Sequence, residues 1–200
     1  MDIGHTIKCA VTGMPTMLFG GQPGCRAGDE RLARNQLELS HAGILSVGSP
    51  AFESGSAIPS TYSAGEGQNI SPPLRWSDLP AQTHSIALIV EDPDAPTPKP
   101  FVHWLLYNIP PNVTAIPEGI PHEEIAIIIP GAMQGKNSSM KLGWTGMAPP
   151  KGDLPHHYHF QVFALSTGLS LEAEAGRSAL LREMKDHIIG VGELIGTYQR

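Results

Sequence analysis

Glycine and proline set the first limit on what this chain can become. The 200 residues include 22 glycines and 19 prolines. Proline fixes φ and removes a backbone donor, and glycine supplies the conformations that tight turns need. A chain punctuated this densely is cut into short segments. It suits strands joined by turns and excludes a helix bundle or coiled coil. With 40% hydrophobic and 16% charged residues, it can still bury a core of ordinary single-domain size. A formal charge of −6 and the lack of any basic run argue against nucleic acid and anionic membrane surfaces as partners.

The cysteines, Cys9 and Cys25, both lie near the start, so no disulfide framework or cysteine zinc site can organise the rest. Residues 9–20 are fairly apolar, but Asp2 precedes them, Pro15 interrupts them and no small-residue cleavage pattern follows. The residues before Cys25 do not suit a lipidated cysteine. No apolar run reaches the roughly 18 residues of a membrane span. A cytoplasmic protein is the expectation.

Residues 1–43 lack sustained periodicity and offer one short helical candidate at 29–39, which reads as a poorly ordered N-terminal extension. A domain is expected over residues 44–200, where short apolar runs alternate with turn clusters. Strands are predicted at 84–91, 101–109, 125–129 and 156–165, the third apolar throughout and placed centrally. In the second, alternation puts Phe101, His103, Leu105 and Tyr107 on one face. In the fourth, it separates His156 and Tyr158 from His157 and His159, which are read as solvated or edge residues. An amphipathic helix is predicted over residues 177–187, and 193–198 is either a closing strand or another helical turn.

Asp92 lies where an apolar strand hands over to a turn. A carboxylate there costs several kcal/mol unless it is hydrogen-bonded, paired or protonated. Asp92 and Asp94 each precede a turn that an Asx hydrogen bond would close; that reading suffices for Asp94, whereas a ligand role stays open for Asp92. His103 alone reads as a half-buried polar group. His156 and Tyr158 share a strand face directly after the turn-rich segment 143–152. Two histidines and a carboxylate also match the facial triad of a metal-dependent enzyme, although no helix-borne metal motif is present. No G-x-S-x-G elbow supports a serine hydrolase. Met133, Met147, Trp76 and Trp104 read as packing residues.

Five motifs then stand in order: Asn69-Ile70-Ser71-Pro72-Pro73-Leu74 with Trp76, Asp92-Pro93-Asp94-Ala95-Pro96, His103-Trp104-Leu105 with Asn108, Pro149-Pro150-Lys151-Gly152, and His156-His157-Tyr158. Together with the Gly196-Thr197-Tyr198 ending, they resemble the phosphatidylethanolamine-binding protein family in its bacterial Raf-kinase-inhibitor-like branch. The resemblance implies a β-rich fold, with a large central mixed or antiparallel sheet packed with a smaller sheet and a few peripheral helices. It further implies a pocket for small phosphate-bearing or anionic ligands such as a phospholipid headgroup, lined by Asp92, Ala95, Pro96, His103, Ala148, Pro149, Pro150, His156 and Tyr158. No cofactor or bound metal is expected, and non-enzymatic binding is favoured over the metal-enzyme alternative. A protein partner such as a kinase and a homodimer are expectations from the resemblance alone. Phe101, Met147 and His157 depart from residues usual in the family, which bears on headgroup fit, loop shape and exterior charge.

Overall fold

The computed structural model describes residues 26–123, 126 and 128–200. Cys9 and Cys25 lie outside the described residues. The architecture follows from three long apolar strands: β4 (Ser85–Asp92), β5 (Phe101–Ile109) and β8 (His156–Leu165). They sit inside a six-stranded sheet ordered β1-β9-β8-β4-β5-β7, where β1 is Gly43–Ile44, β7 is Met133–Gln134 and β9 is Ile188–Tyr198. The β1–β9 pair is parallel and the other pairs are antiparallel, so the sheet is mixed. A smaller antiparallel sheet joins β2 (Ser46–Gly48), β3 (Leu74–Ser77) and β6 (Ala115–Ile116).

Both faces of the central strands are covered, which is why β4 reads as an unbroken apolar run. Ile86, Leu88 and Val90 face the smaller sheet and meet Trp104, Phe160 and Trp76. Ala87 and Ile89 face the other way, towards Leu180 and Met184 of helix α2 (Arg177–Met184). The expected helix is thus present, and the undecided C-terminal run is a strand.

Three expectations need correction. The apolar run at 125–129 is not a central strand in its described part. Ala126 and Ile129 are buried from a tight turn closed by Ala126–Ala132 and Ile129–Ala126 backbone bonds, whereas Ile128 faces outward. Burial of residues from a turn gives the same apolar composition as a strand, so the run did not discriminate. The sheet position is filled instead by β7, at the edge.

The second correction concerns residues 26–42, which pack onto the sheet rather than trailing from it. Leu32 is 1% exposed and Ala33 0%. Ala33 opens a one-turn helix, α1 (Ala33–Gln36), and its N–H donates to Glu91 Oε2 at 2.8 Å. Glu91 is wholly buried; Gln161 Nε2 also reaches Oε2, at 2.9 Å, and the Arg177 guanidinium pairs with Oε1. A buried carboxylate needs such a complete set of donors. The third correction is His159, which is buried beside this cluster and shares Glu193 with Arg34 at 2.9 and 2.6 Å.

Replacing Glu91 by alanine strands Arg177 and the Ala33 N–H together. Urea unfolding of Glu91→Ala should show a loss of about 3–5 kcal/mol, the scale for one broken partner of a buried ion pair.

Candidate functional site

At one end of the sheet, the last residue of β4 comes beside the first residues of β8. Antiparallel pairing of Glu91 with His159 sets this register. Asp92 is 3% exposed, and both of its oxygens are occupied. Oδ1 accepts the N–H groups of Asp94 and Ala95 at 2.8 and 3.0 Å, closing the proline-rich turn; Oδ2 meets His156 Nδ1 at 2.7 Å. The Asx turn expected for Asp92 is present, and the same carboxylate also pairs with a buried imidazole. Asp94 does something else: its Oδ2 accepts the His157 N–H at 2.9 Å and faces the His157 ring.

His103 reaches the site through a β-bulge. Val90 pairs with Trp104 but Glu91 pairs with Val102, so β5 holds one extra residue there. A bulge turns its added side chain out of the regular alternation. Val102, Leu105 and Tyr107 consequently pack on the α2 side, while His103 lies with Trp104 against Trp144 on the other. The single face expected for Phe101, His103, Leu105 and Tyr107 is split. His103 Nδ1 donates to the Thr145 carbonyl, and Thr145 N–H returns a bond to the His103 carbonyl at 2.9 Å. That fixes the tautomer and leaves Nε2 as an acceptor in the neutral ring. Phe101 lies 4.8 Å and Tyr158 5.1 Å from the His103 ring.

The loop behind these groups is held by Asn69 of the 69–76 motif and by residues 62 and 64 just before it. Asn69 Oδ1 accepts the Gly146 N–H at 2.7 Å, Ala64 N–H donates to the Met147 carbonyl at 3.0 Å, and Trp144 Nε1 donates to Tyr62 at 3.0 Å. A Cβ at Gly146 would stand 2.5 Å from the Tyr62 oxygen and the Ala64 nitrogen, so only glycine allows this approach. Met147 is fully buried.

Burial pushes the His103 pKa below its ordinary 6.5, against the opposing charge of Asp92 and the Thr145 hydrogen bond. Burial also works against a charged His156, but the Asp92 hydrogen bond and charge, helped by Asp153 and Asp94, hold its pKa above 6.5. His156 Nε2 meets Asp153 Oδ2 at 3.3 Å, so both ring nitrogens face carboxylates and both carry hydrogen. Tyr158 is 0% exposed and its hydroxyl has no hydrogen-bond partner. Burial first, then the charges of Asp92 and Asp94, raise its pKa and keep it a neutral donor.

Hydrogen bonds join Asp92, Ala95 and His156, a ring contact joins His103 and Tyr158, and the Asp92 charge acts on both members of the second group. Pro96, Ala148, Pro149 and Pro150 occupy the flanking turns; Pro149 is buried and the other three are exposed. The sequence reading missed Asp153, three residues before His156, and Arg26, whose guanidinium meets Asp94 at 3.1 Å and Asp153 at 2.8 Å. The first was readable as a polar residue on a turn entering the site; nothing local pointed to the second. A separate cleft of about 550 Å³ opens between Lys99, Lys136, Ser138 and the start of α2. Among the described residues, no three histidine, cysteine, aspartate or glutamate side chains are placed to hold a metal ion. Nor is any described helix long and apolar enough to cross a membrane.

The sequence profile described as "Phosphatidylethanolamine-binding protein" matches residues 48–199. The chain belongs to this family. A UPF0098 protein from Methanothermobacter thermautotrophicus is 43% identical over 150 residues, covering 75% of this chain and 95% of that one. A crystal structure of a phosphatidylethanolamine-binding protein homolog from Chlamydia trachomatis superposes with a TM-score of 0.69 at 39% identity, covering 80% of this chain and 99% of that one. Escherichia coli YbcL gives 0.73 at 34% identity, over 78% and 98%. The match at this level supports the bacterial and archaeal branch of the family and the two-sheet fold.

The two imidazoles should titrate on opposite sides of 6.5 in an NMR pH series, His156 above and His103 below. The stability that the Asp92–His156 pair contributes is fully present below 6.5 and is lost as pH rises through the elevated folded value. Burial of neutral His103 acts in the other direction, costing stability as pH falls below 6.5. Thermal melts across this window should show the alkaline loss in the wild type and its absence in His156→Ala.

Proposed function

We propose that this chain binds small phosphate-bearing or other anionic ligands, of the kind carried by phospholipid headgroups, without catalysing a reaction on them. The site is Asp92, His103, His156 and Tyr158, with Ala95, Pro96, Ala148, Pro149 and Pro150 around it. The observation that carries this reading is the unpartnered Tyr158 hydroxyl, its ring buried against His103 and two residues along β8 from His156. An orphaned buried donor costs about 1–3 kcal/mol, and an acceptor atom reaching it would recover that cost. Asp92 does not itself receive an anion. Its part is to keep His156 charged, so that the ring can donate to a phosphate oxygen while Tyr158 adds a neutral donor. Family membership supports a ligand-binding or regulatory role. Control of a protein partner such as a kinase, in the cytoplasm, is the use we propose for an occupied site.

Calorimetric titration with inorganic phosphate and O-phosphoethanolamine tests the site. Saturable binding to the wild type should weaken at least about tenfold in His156→Ala, the scale of one lost charge-assisted hydrogen bond. Equal binding by the two proteins, or none to either, overturns the assignment. Tyr158→Phe should separate the two consequences of the orphaned hydroxyl. The unliganded protein should gain stability, by about 1 kcal/mol, while its phosphate affinity falls.

A further inference from the structure

Asp153 meets His156 on the side away from Asp92. Its Oδ2 lies 3.3 Å from Nε2, while Oδ1 receives Arg26 Nη2 at 2.8 Å and the Leu154 N–H at 3.0 Å. The Asp153 side chain is 30% exposed, whereas that of His156 is 1% exposed. The only ring nitrogen of His156 not committed to Asp92 is therefore taken up by a carboxylate that belongs to the mouth of the site. Asp153 contacts the same two cations, an imidazolium and a guanidinium, that an incoming oxyanion would seek. Its bond to His156 is long, so it is the weaker of the two carboxylate contacts on that ring.

We infer that Asp153 is an intrachain competitor for the anion, a latch that Arg26 holds over His156 until a ligand displaces it. The inference rests on the anion-binding reading above and adds to it a resident occupant of the same donor. Arg26 lies outside residues 48–199, the part of the chain that matches the family profile. The latch is thus completed by the segment that precedes that region. The same guanidinium also meets Asp94 at 3.1 Å, so it stays anchored at the mouth when Asp153 swings away.

Competition has a signature that other roles of Asp153 lack. A ligand that must displace the latch has its affinity divided by one closed-state factor, which is the same for every anion using that donor. If Asp153 merely repelled anions through space, removing it would favour a dianion about twice as strongly as a monoanion on a logarithmic scale, and salt would screen the gain. If it merely kept His156 charged, removing it would weaken binding.

The test is calorimetry at pH 7 in low and high salt, on wild type, Asp153→Asn, Asp153→Ser, Asp94→Asn and His156→Ala. The probes are methyl phosphate, a phosphomonoester that is mostly dianionic, and dimethyl phosphate, a phosphodiester monoanion with the linkage of a lipid headgroup. Both Asp153 variants should bind both probes more tightly, by a common factor of about tenfold that persists in high salt, the scale of one uncontested charge-assisted hydrogen bond. Asp94→Asn removes an equal charge without freeing His156 and should give only a salt-sensitive gain. Unchanged or weaker binding by the Asp153 variants, or a salt-screened gain favouring the dianion, overturns the latch while leaving intact a site that His156→Ala still abolishes. Binding that ignores His156→Ala, or is absent from every protein, overturns the anion site and the latch with it.

Discussion

The arrangement of this molecule turns on a carboxylate taken out of water. Asp92 sits at the end of a wholly buried strand, where an isolated charge would cost more than the domain's net stability could spare. Two backbone N–H groups and one imidazole answer it. Each partner imposes a constraint. The N–H groups force the chain to turn at Asp94 and Ala95, and the imidazole forces the start of β8 to lie against the end of β4. One side chain thus shapes the turn, braces the register that the Glu91–His159 pairing sets and holds His156 charged.

Much of this was legible in the sequence, for identifiable reasons. The long strands were visible because burial on both faces needs β-branched and aromatic residues in unbroken runs ended by proline. The grouping of Asp92, His103, His156 and Tyr158 was visible only through the order of motifs, since no local rule joins residues separated by so much chain. What escaped was whatever depends on a single insertion or on a distant partner. The bulge at His103 leaves no mark in a composition of large apolar residues, so simple alternation assigned Leu105 and Tyr107 to its face. His159 read as an edge residue because Glu193, its partner, belongs to another strand. At 125–129, hydrophobicity reported burial correctly for Ala126 and Ile129 but carried no information on the backbone path.

The central sheet also separates two kinds of polar interior. On the side of the smaller sheet, Asp92, His103 and His156 are hydrogen-bonded while the Tyr158 hydroxyl is left unpaired. On the α2 side, Glu91 and Gln161 are surrounded by donors and acceptors from α1 and α2. A satisfied network rigidifies, while an unsatisfied one leaves room for a guest. The contrast sets the satisfied network and the proposed ligand site back to back across one layer of strands.

Beside the Arg34–Glu193 ion pair, two bonds fixing residues 33 and 34 to the sheet are made by main-chain N–H groups, to Glu91 and to Gln161. Every amino acid except proline brings that donor. Mutational drift along this stretch can therefore rewrite much of its surface lettering without unfastening it, provided the enclosed position 32 stays apolar and position 33 stays small. Kinship in this region would be carried by shape long after it had faded from the alphabet.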